Sequence, residues 1–101
     1  MKKIYLIADI HTVSAFRLSG VEGVVSDREN ALSRLEEIIG KADAGIVAIT
    51  RELGEGIQER IAEINLAMPS PVVIEIPGLD DMRGFGRSGV NYIAEALGVS
   101  L

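Results

Sequence analysis

The sequence predicts a small α/β domain, built on a parallel sheet of about four strands with helices on both faces. Short apolar runs alternate along the chain with segments whose apolar residues recur at helical spacing, and this strand–helix pair occurs four times. The apolar runs are continuous, which is typical of strands covered on both faces. Because the connections are short and parallel crossovers are right-handed, we expect a flavodoxin-like sheet with the strand order of roughly 2-1-3-4.

The first half of the chain contains two strands, each followed by a helix. Ile4–Ala8 is an apolar run, and a short helix over Val13–Leu18 is stopped by Gly20. The second strand, Gly23–Ser26, is brief and more polar, which favours the edge of the sheet. Asp27 is placed to cap the next helix. Four apolar residues recur at helical spacing in that helix: Leu32, Leu35, Ile38 and Ile39.

The second half repeats the alternation. Ala44–Ile49 is a third apolar strand, and Thr50 is placed to cap the helix after it. Pro69-Ser70-Pro71 ends that helix, and Val72–Ile76 forms a fourth strand. Five apolar residues share one face of this third helix: Leu53, Ile57, Ile61, Ile64 and Met68.

The composition changes after the fourth strand, which divides the chain into an α/β domain over residues 1–78 and a tail over residues 79–101. The tail is a glycine-rich hinge followed by a C-terminal helix, and it is not an independent domain. A helix of about ten residues is marginal in water. Burial of its apolar residues returns about 1.5–3 kcal/mol each, whereas ordering the backbone costs about 1–2 kcal/mol per residue. Docking on its own sheet, docking on another protein and switching between the two all stay open.

Composition excludes several functional classes. The chain has 101 residues, no cysteine and a formal net charge of −5. The lack of cysteine excludes disulfides, thiolate zinc sites, iron–sulfur clusters and thiol catalysis. The acidic balance opposes nucleic-acid binding, which needs basic groups to neutralise phosphates. No run approaches the ~18 apolar residues of a membrane span, and the opening run reaches Asp9 too soon for a secretory signal. We therefore expect a cytoplasmic protein with no direct membrane insertion.

Asp9-Ile10-His11 is the candidate for metal chemistry. It resembles the opening Asp-x-His of metallophosphoesterases, in which the two side chains hold a dinuclear metal centre. Two-metal hydrolysis needs several further ligands, and this chain has no second histidine. The favoured interpretation is that Asp9 caps the first turn and His11 is an ordinary loop residue. The alternative function that stays open is a small metal- or phosphate-binding enzyme that uses Asp9 and His11.

The other motifs predict no cofactor. The segment Gly84-Phe85-Gly86-Arg87-Ser88-Gly89 matches Gly-x-Gly-x-x-Gly, but no strand directly precedes it, so a hinge is favoured over a dinucleotide site. A phospho-receiver would need an acceptor Asp after the third strand, where Thr50 stands, and a late lysine, whereas the last lysine is Lys41. We therefore predict no catalytic residue, no metal ligand and no bound cofactor.

One charged surface remains on the third helix, opposite its apolar face. Like charges at i,i+4 repel by about 0.2–0.5 kcal/mol per pair, so this row does not stabilise the helix by itself. It is either a solvated face or an acidic surface that steers a basic partner toward the protein. The row consists of Glu52, Glu55, Glu59 and Glu63.

Four segments carry a resemblance that covers residues 1 to about 98: Lys3–Asp9, Thr12–Val21, Gly45–Thr50 and Ile74–Gly78. In order and spacing they resemble the F subunit of prokaryotic V-type and archaeal A-type rotary ATPases. The family usually has Gly-Phe-Arg-Leu-Ala-Gly in the second segment, so Ala15 and Ser19 are departures.

The resemblance implies a non-catalytic rotor subunit of the central stalk. In this family the α/β domain docks on a coiled-coil shaft subunit, and torque passes between the ATP-hydrolysing head and a membrane ring that moves protons or sodium ions. The C-terminal helix is expected to contact the catalytic head, and the subunit to lie peripheral to the membrane. Phe16 and Leu18 cannot both face inward from a straight helix, so one of them is expected to be left for a partner. The residues assigned to partner contacts are Phe16, Arg17, Leu18, Glu55, Glu59, Phe85, Arg87, Val90, Ile93 and Leu97.

Overall fold

The computed structural model describes residues 2–79 of the chain. Within that range four strands form one parallel sheet in the order β2-β1-β3-β4, which confirms the predicted flavodoxin-like topology. The strands are β1 (Lys3–Ala8), β2 (Glu22–Val25), β3 (Ala44–Thr50) and β4 (Val72–Ile76). The helices are α1 (Ile10–Phe16), α2 (Ala31–Ile39), α3 (Arg51–Gly54) and α4 (Gln58–Ala67), with 3₁₀ turns at Arg17–Ser19 and Glu55–Ile57.

The strands β1 and β3 form the centre of the sheet because they carry the most continuous apolar runs. Leu6 of β1 pairs with Gly23 on β2 and with Ala48 on β3. Neighbouring residues of a strand point to opposite faces, and Leu6 and Ile7 are only 1% and 0% exposed. The sheet is therefore covered on both faces along β1.

Two apolar layers sandwich the sheet. The larger layer contains Leu35 of α2 and Ile64 of α4, packed against the side chains of one sheet face. The smaller layer contains Val13 and Phe16 of α1 on the opposite face. The prediction of helices on both faces is confirmed, with α1 on one side and α2, α3 and α4 on the other.

The start of α2 differs from the prediction. Asp27 does not cap this helix, because its carboxylate accepts hydrogen bonds from the backbone and side-chain amides of Asn30 in a turn before it. The helix then begins at Ala31, and Leu32 is 42% exposed rather than buried. The buried face of α2 consists of Ala31, Leu35 and Ile38.

The third predicted helix is interrupted. A Cβ atom on Gly54 would lie 2.8 Å from Oε2 of Glu75 on β4, so the Gly54 backbone approaches this side chain closely. The chain then makes a 3₁₀ turn before α4, and the side chain of Gln58 donates to the carbonyl of Gly54 at 3.1 Å. Thr50 occupies the N-cap position of α3 but makes no side-chain capping bond within the described chain. The predicted apolar face nevertheless persists, since all five of its residues pack in the larger layer.

The predicted hinge and C-terminal helix lie outside the described residues, apart from Leu79 at the start of the hinge. Across residues 2–79, no helix combines the length and apolar character required to cross a bilayer.

Candidate functional site

Asp9 lies at the carboxyl end of β1, where parallel α/β sheets place their ligands. Its Oδ2 accepts hydrogen bonds from the backbone N–H groups of His11 and Thr12, both at 3.1 Å, and its Oδ1 accepts from the Thr12 hydroxyl at 2.6 Å. Asp9 is thus the N-cap of α1, which is why that helix begins at Ile10 and not at Val13 as predicted.

Hydrogen bonding also sets the charge state of Asp9. Its partial burial acts to raise the pKa of the carboxyl group, but the bonds from Thr12 and His11 outweigh this effect and hold the pKa below its ordinary value. His11 lies on the exposed side of α1. Within residues 2–79, no three His, Cys, Asp or Glu side chains are grouped so that they could hold a metal ion. The geometry therefore assigns Asp9 a capping role.

Thr12 links the N-cap to the end of the described chain. Its side chain is fully buried, and Oγ1 both donates to Asp9 and accepts a hydrogen bond from the backbone N–H of Leu79 at 3.0 Å. This bond joins residues 67 positions apart and holds the first residue of the predicted hinge against α1. This role of Thr12 was not predicted, because an Asp at the start of a helix indicates a cap but no local pattern indicates a bond to Leu79.

A cleft of about 460 Å³ opens at the same edge of the sheet. Its lining includes four carboxylates, those of Asp9, Asp27, Glu29 and Glu52, and one guanidinium, that of Arg28. Arg28 lies 3.7 Å from Glu52 and 3.4 Å from Glu55, so its charge is already compensated. The lining is therefore acidic, and it offers little to a phosphate or another anion.

The predicted contact residues near α1 divide between core and surface. Phe16 is 1% exposed and packs in the smaller apolar layer, so it is corrected to a core residue. Leu18 is 97% exposed, and Arg17 beside it is also exposed. The helix ends at Phe16 and a 3₁₀ turn follows, closed by Gly20 with φ of +87°, and this change of backbone path turns Leu18 outward.

Glu55 and Glu59 lie on the other face of the sheet from α1. They line a groove of about 430 Å³ between the start of α2 and the broken third helix, here called the α2–α4 groove. The predicted row of four glutamates is split, since Glu52 belongs to the cleft and the other three line this groove. The groove is lined by Leu32, Glu55, Gly56, Ile57, Gln58, Glu59, Arg60 and Glu63.

Arg60, the one basic residue of the groove lining, is held by α2. Its Nε and Nη2 atoms donate to the two carboxylate oxygens of Glu36 at 2.6 and 2.9 Å. This bidentate contact lowers the pKa of Glu36, because the guanidinium stabilises the ionised carboxylate. The remaining predicted contact residues, which are Phe85, Arg87, Val90, Ile93 and Leu97, lie outside the described residues.

Comparison with known proteins gives a consistent set of relatives. The family model described as ATP synthase (F/14-kDa) subunit matches residues 4–93. The chain is 30% identical over 105 residues to the F subunit of the A-type ATP synthase of Thermococcus kodakarensis, an alignment that covers 98% of this chain and 97% of that protein. It is 34% identical over 77 residues to the F subunit of the A-type ATP synthase of Methanococcus aeolicus, covering 74% and 73% of the two chains. It is 31% identical over 89 residues to the F subunit of the V-type ATP synthase of Thermus thermophilus, covering 81% and 86%.

Proposed function

Because the chain belongs to the family of F subunits of A- and V-type ATP synthases, we propose that it is a non-catalytic component of the central stalk, docked on the coiled-coil shaft subunit. The observation that carries this proposal is the match of one family over nearly the whole chain, residues 4–93. In this role the protein couples ATP hydrolysis or synthesis in the head to ion transport in the membrane, and it lies on the cytoplasmic side as a peripheral component.

The carboxyl edge of the sheet supports a docking role over an enzymatic one. Both oxygens of Asp9 serve the N-cap of α1, and the adjoining cleft is lined mainly by carboxylates. Asp9 and His11, the pair that would carry metal or phosphate chemistry, are not brought together as ligands, since His11 contacts Asp9 through its backbone N–H. The proposed activity of the chain is therefore contact with other subunits.

Two surfaces on opposite faces of the sheet are proposed for these contacts. Arg17 and Leu18 form an exposed pair at the end of α1, and Glu55 and Glu59 line the α2–α4 groove. A single shaft that docks on one face leaves the other face for a different neighbour. The tail, residues 79–101, is proposed to act as a hinge and helix that reaches the catalytic head and regulates its activity. The bond from Leu79 to Thr12 supplies a fixed point from which such a segment departs.

Copurification tests the docking proposal. A tagged copy of the full chain, expressed in its own organism, is expected to recover the coiled-coil shaft subunit and the catalytic head subunits in fixed proportion. A variant with Leu18→Ala is expected to keep the fold and serves as a probe of the α1 surface, because Leu18 is 97% exposed. Recovery of the tagged chain as a free monomer would contradict the proposal.

Truncation tests the regulatory proposal separately. A chain that ends at Leu79 keeps the hydrogen bond to Thr12 and every described strand and helix. We expect it to unfold cooperatively and to assemble into the complex, while the ATP hydrolysis rate of that complex changes. An unchanged rate in an assembled complex would contradict a regulatory role for the tail and leave the docking proposal intact.

A further inference from the structure

The α2–α4 groove combines exposed apolar surface with acidic side chains. Its apolar part consists of Leu32, which is 42% exposed although the residues on the buried face of α2 are fully covered, and of Ile57, which is half-buried. An exposed leucine beside a half-buried isoleucine leaves apolar surface in contact with water, and a partner side chain that enters between them removes that surface from water.

Gly56 is not required by the fold of this chain. A Cβ atom on Gly56 would meet no heavy atom within 4 Å, and Gly20 is the described glycine with a positive φ. Gly54, two residues earlier, is different because a Cβ atom there would collide with Glu75. Glycine within helical backbone costs about 1 kcal/mol relative to alanine. What Gly56 provides is open space above the 3₁₀ turn, where the backbone of a partner helix can approach closely.

The charges around the groove specify the chemistry of the partner. The lining contains three carboxylates, those of Glu55, Glu59 and Glu63, and one guanidinium, that of Arg60. Outside the lining, Arg28 lies 3.4 Å from Glu55. Arg60 is already bound by both oxygens of Glu36, and it lies 3.9 Å from Glu63. Glu59 has no ion-pair partner within residues 2–79. The surplus of negative charge favours a basic partner, both in the rate of encounter and in the choice of partner.

Glu55 lies in the 3₁₀ turn, whereas Glu59 and Glu63 lie about one helical turn apart in α4, and all three line the groove. Lysine or arginine residues at i and i+4 of a partner helix have the spacing of Glu59 and Glu63, so a partner helix can pair with this part of α4. We propose that the α2–α4 groove holds a basic amphipathic helix of the coiled-coil shaft subunit, with an apolar side chain between Leu32 and Ile57. This proposal rests on the docking function proposed above and adds the surface and the chemistry of the contact.

Binding measurements with the purified full chain and the purified shaft subunit of the same organism test the groove. Leu32→Asp and Glu59→Lys are expected to weaken binding by about tenfold or more, which is typical of residues central to an interface. Gly56→Ala, which meets nothing within its own chain, is expected to weaken binding by a smaller factor. Leu66→Asp and Glu22→Lys are the matched controls, because both residues are exposed and lie outside the groove. These two variants are expected to bind within about twofold of the wild-type chain.

Thermal unfolding of every variant shows whether the fold is intact, which we expect because the substituted positions are exposed or, for Gly56, open. The chain has no cysteine, so Gly56→Cys and Leu66→Cys also provide single attachment points for a short photo-crosslinker. The first is expected to be cross-linked to the shaft subunit and the second is not.

The outcomes separate this proposal from the docking function. If the wild-type chain binds the shaft subunit and Leu32→Asp, Glu59→Lys and Gly56→Ala bind equally well, the groove proposal is overturned. The docking function then still stands. Failure of the wild-type chain to bind the shaft subunit overturns both. If the chain self-associates, and Leu32→Asp abolishes this self-association without changing shaft binding, the groove binds a second copy of the chain. That result also overturns the proposal.

Discussion

Thr12 connects the helix cap, the core and the start of the tail, and Thr12→Val tests that connection. The hydroxyl donates to the Asp9 carboxylate at 2.6 Å and accepts from the backbone N–H of Leu79 at 3.0 Å, while the residue is 0% exposed. Valine keeps the size of threonine but removes the hydroxyl.

The magnitude follows from the two bonds. A hydrogen bond to a charged group is worth about 1.5–3 kcal/mol, and a buried N–H that loses its acceptor costs about 1–3 kcal/mol. Water replaces part of this loss because Leu79 is half-buried, and the added methyl group returns about 0.8 kcal/mol. We expect a net loss of about 2 kcal/mol in the free energy of unfolding, which lowers the melting temperature by roughly 8–16 °C in a domain of this size.

Thr12→Ser is the matched control, since it keeps the hydroxyl and loses one methyl group, at a cost of about 1 kcal/mol. Circular dichroism measures both melting temperatures, and hydrogen exchange measures the opening of the Leu79 amide. That amide is expected to exchange faster in Thr12→Val than in Thr12→Ser. A valine variant that melts at or above the serine variant, with unchanged exchange at Leu79, would refute the reasoning.

The remaining predictions concern the core, the turn after α1 and the decrease of the unfolding free energy at acidic pH. Phe16→Ala is expected to lower the free energy of unfolding in urea by about 3–5 kcal/mol, because Phe16 is buried. Leu18→Ala is expected to change it by less than about 0.5 kcal/mol, because Leu18 is 97% exposed. Similar losses in the two variants would contradict the placement of Phe16 in the core and Leu18 on the surface. Gly20→Ala is expected to lower the free energy of unfolding by about 1–2 kcal/mol in the same assay. The loss comes from backbone strain alone, because φ is +87° and a Cβ atom there meets nothing within 4 Å. An unchanged free energy of unfolding would contradict the left-handed geometry. The pKa of Asp9 is lowered in the folded chain by its hydrogen bonds, so this group contributes stability above its ordinary pKa of about 3.9, and that contribution disappears as the pH falls through the lowered pKa. Asp9→Asn is therefore expected to flatten the acid limb of a plot of unfolding free energy against pH, and an unchanged acid limb would contradict the capping geometry.

The sheet could be predicted because the information is local. The apolar runs of β1 and β3 are continuous, and this marks them as central strands of a parallel sheet. Handedness and short connections then determine most of the strand order, which the structure confirms.

The break between α3 and α4 could not be predicted by the same reasoning. Leu53, Ile57 and Ile61 keep helical spacing straight through it, so the apolar pattern indicates one continuous helix. The break lies where Gly54 approaches the side chain of Glu75 on β4, and this contact joins distant parts of the chain. The apolar periodicity therefore could not predict the groove beside this break, which includes Gly56.

The candidate site shows the same division between local and distant causes. The sequence predicts that Phe16 and Leu18 cannot both face inward, but which of them is exposed depends on the end of α1 at Phe16 and the 3₁₀ turn after it. The capping role of Asp9 was the favoured interpretation because a capping residue acts within three positions. The hydrogen bond between Thr12 and Leu79 joins residues 67 positions apart, so it depends on the folded sheet and could not be predicted from local sequence.

Membership of the central stalk is tested most directly by native mass spectrometry of the intact ATP synthase, isolated through its shaft subunit and then dissociated in steps. The proposal predicts that this 10.8 kDa chain is present in a fixed ratio to the shaft subunit and stays with it after the catalytic head and the membrane ring have been released. Release of the chain together with the head, or its absence from the isolated enzyme, would contradict the account.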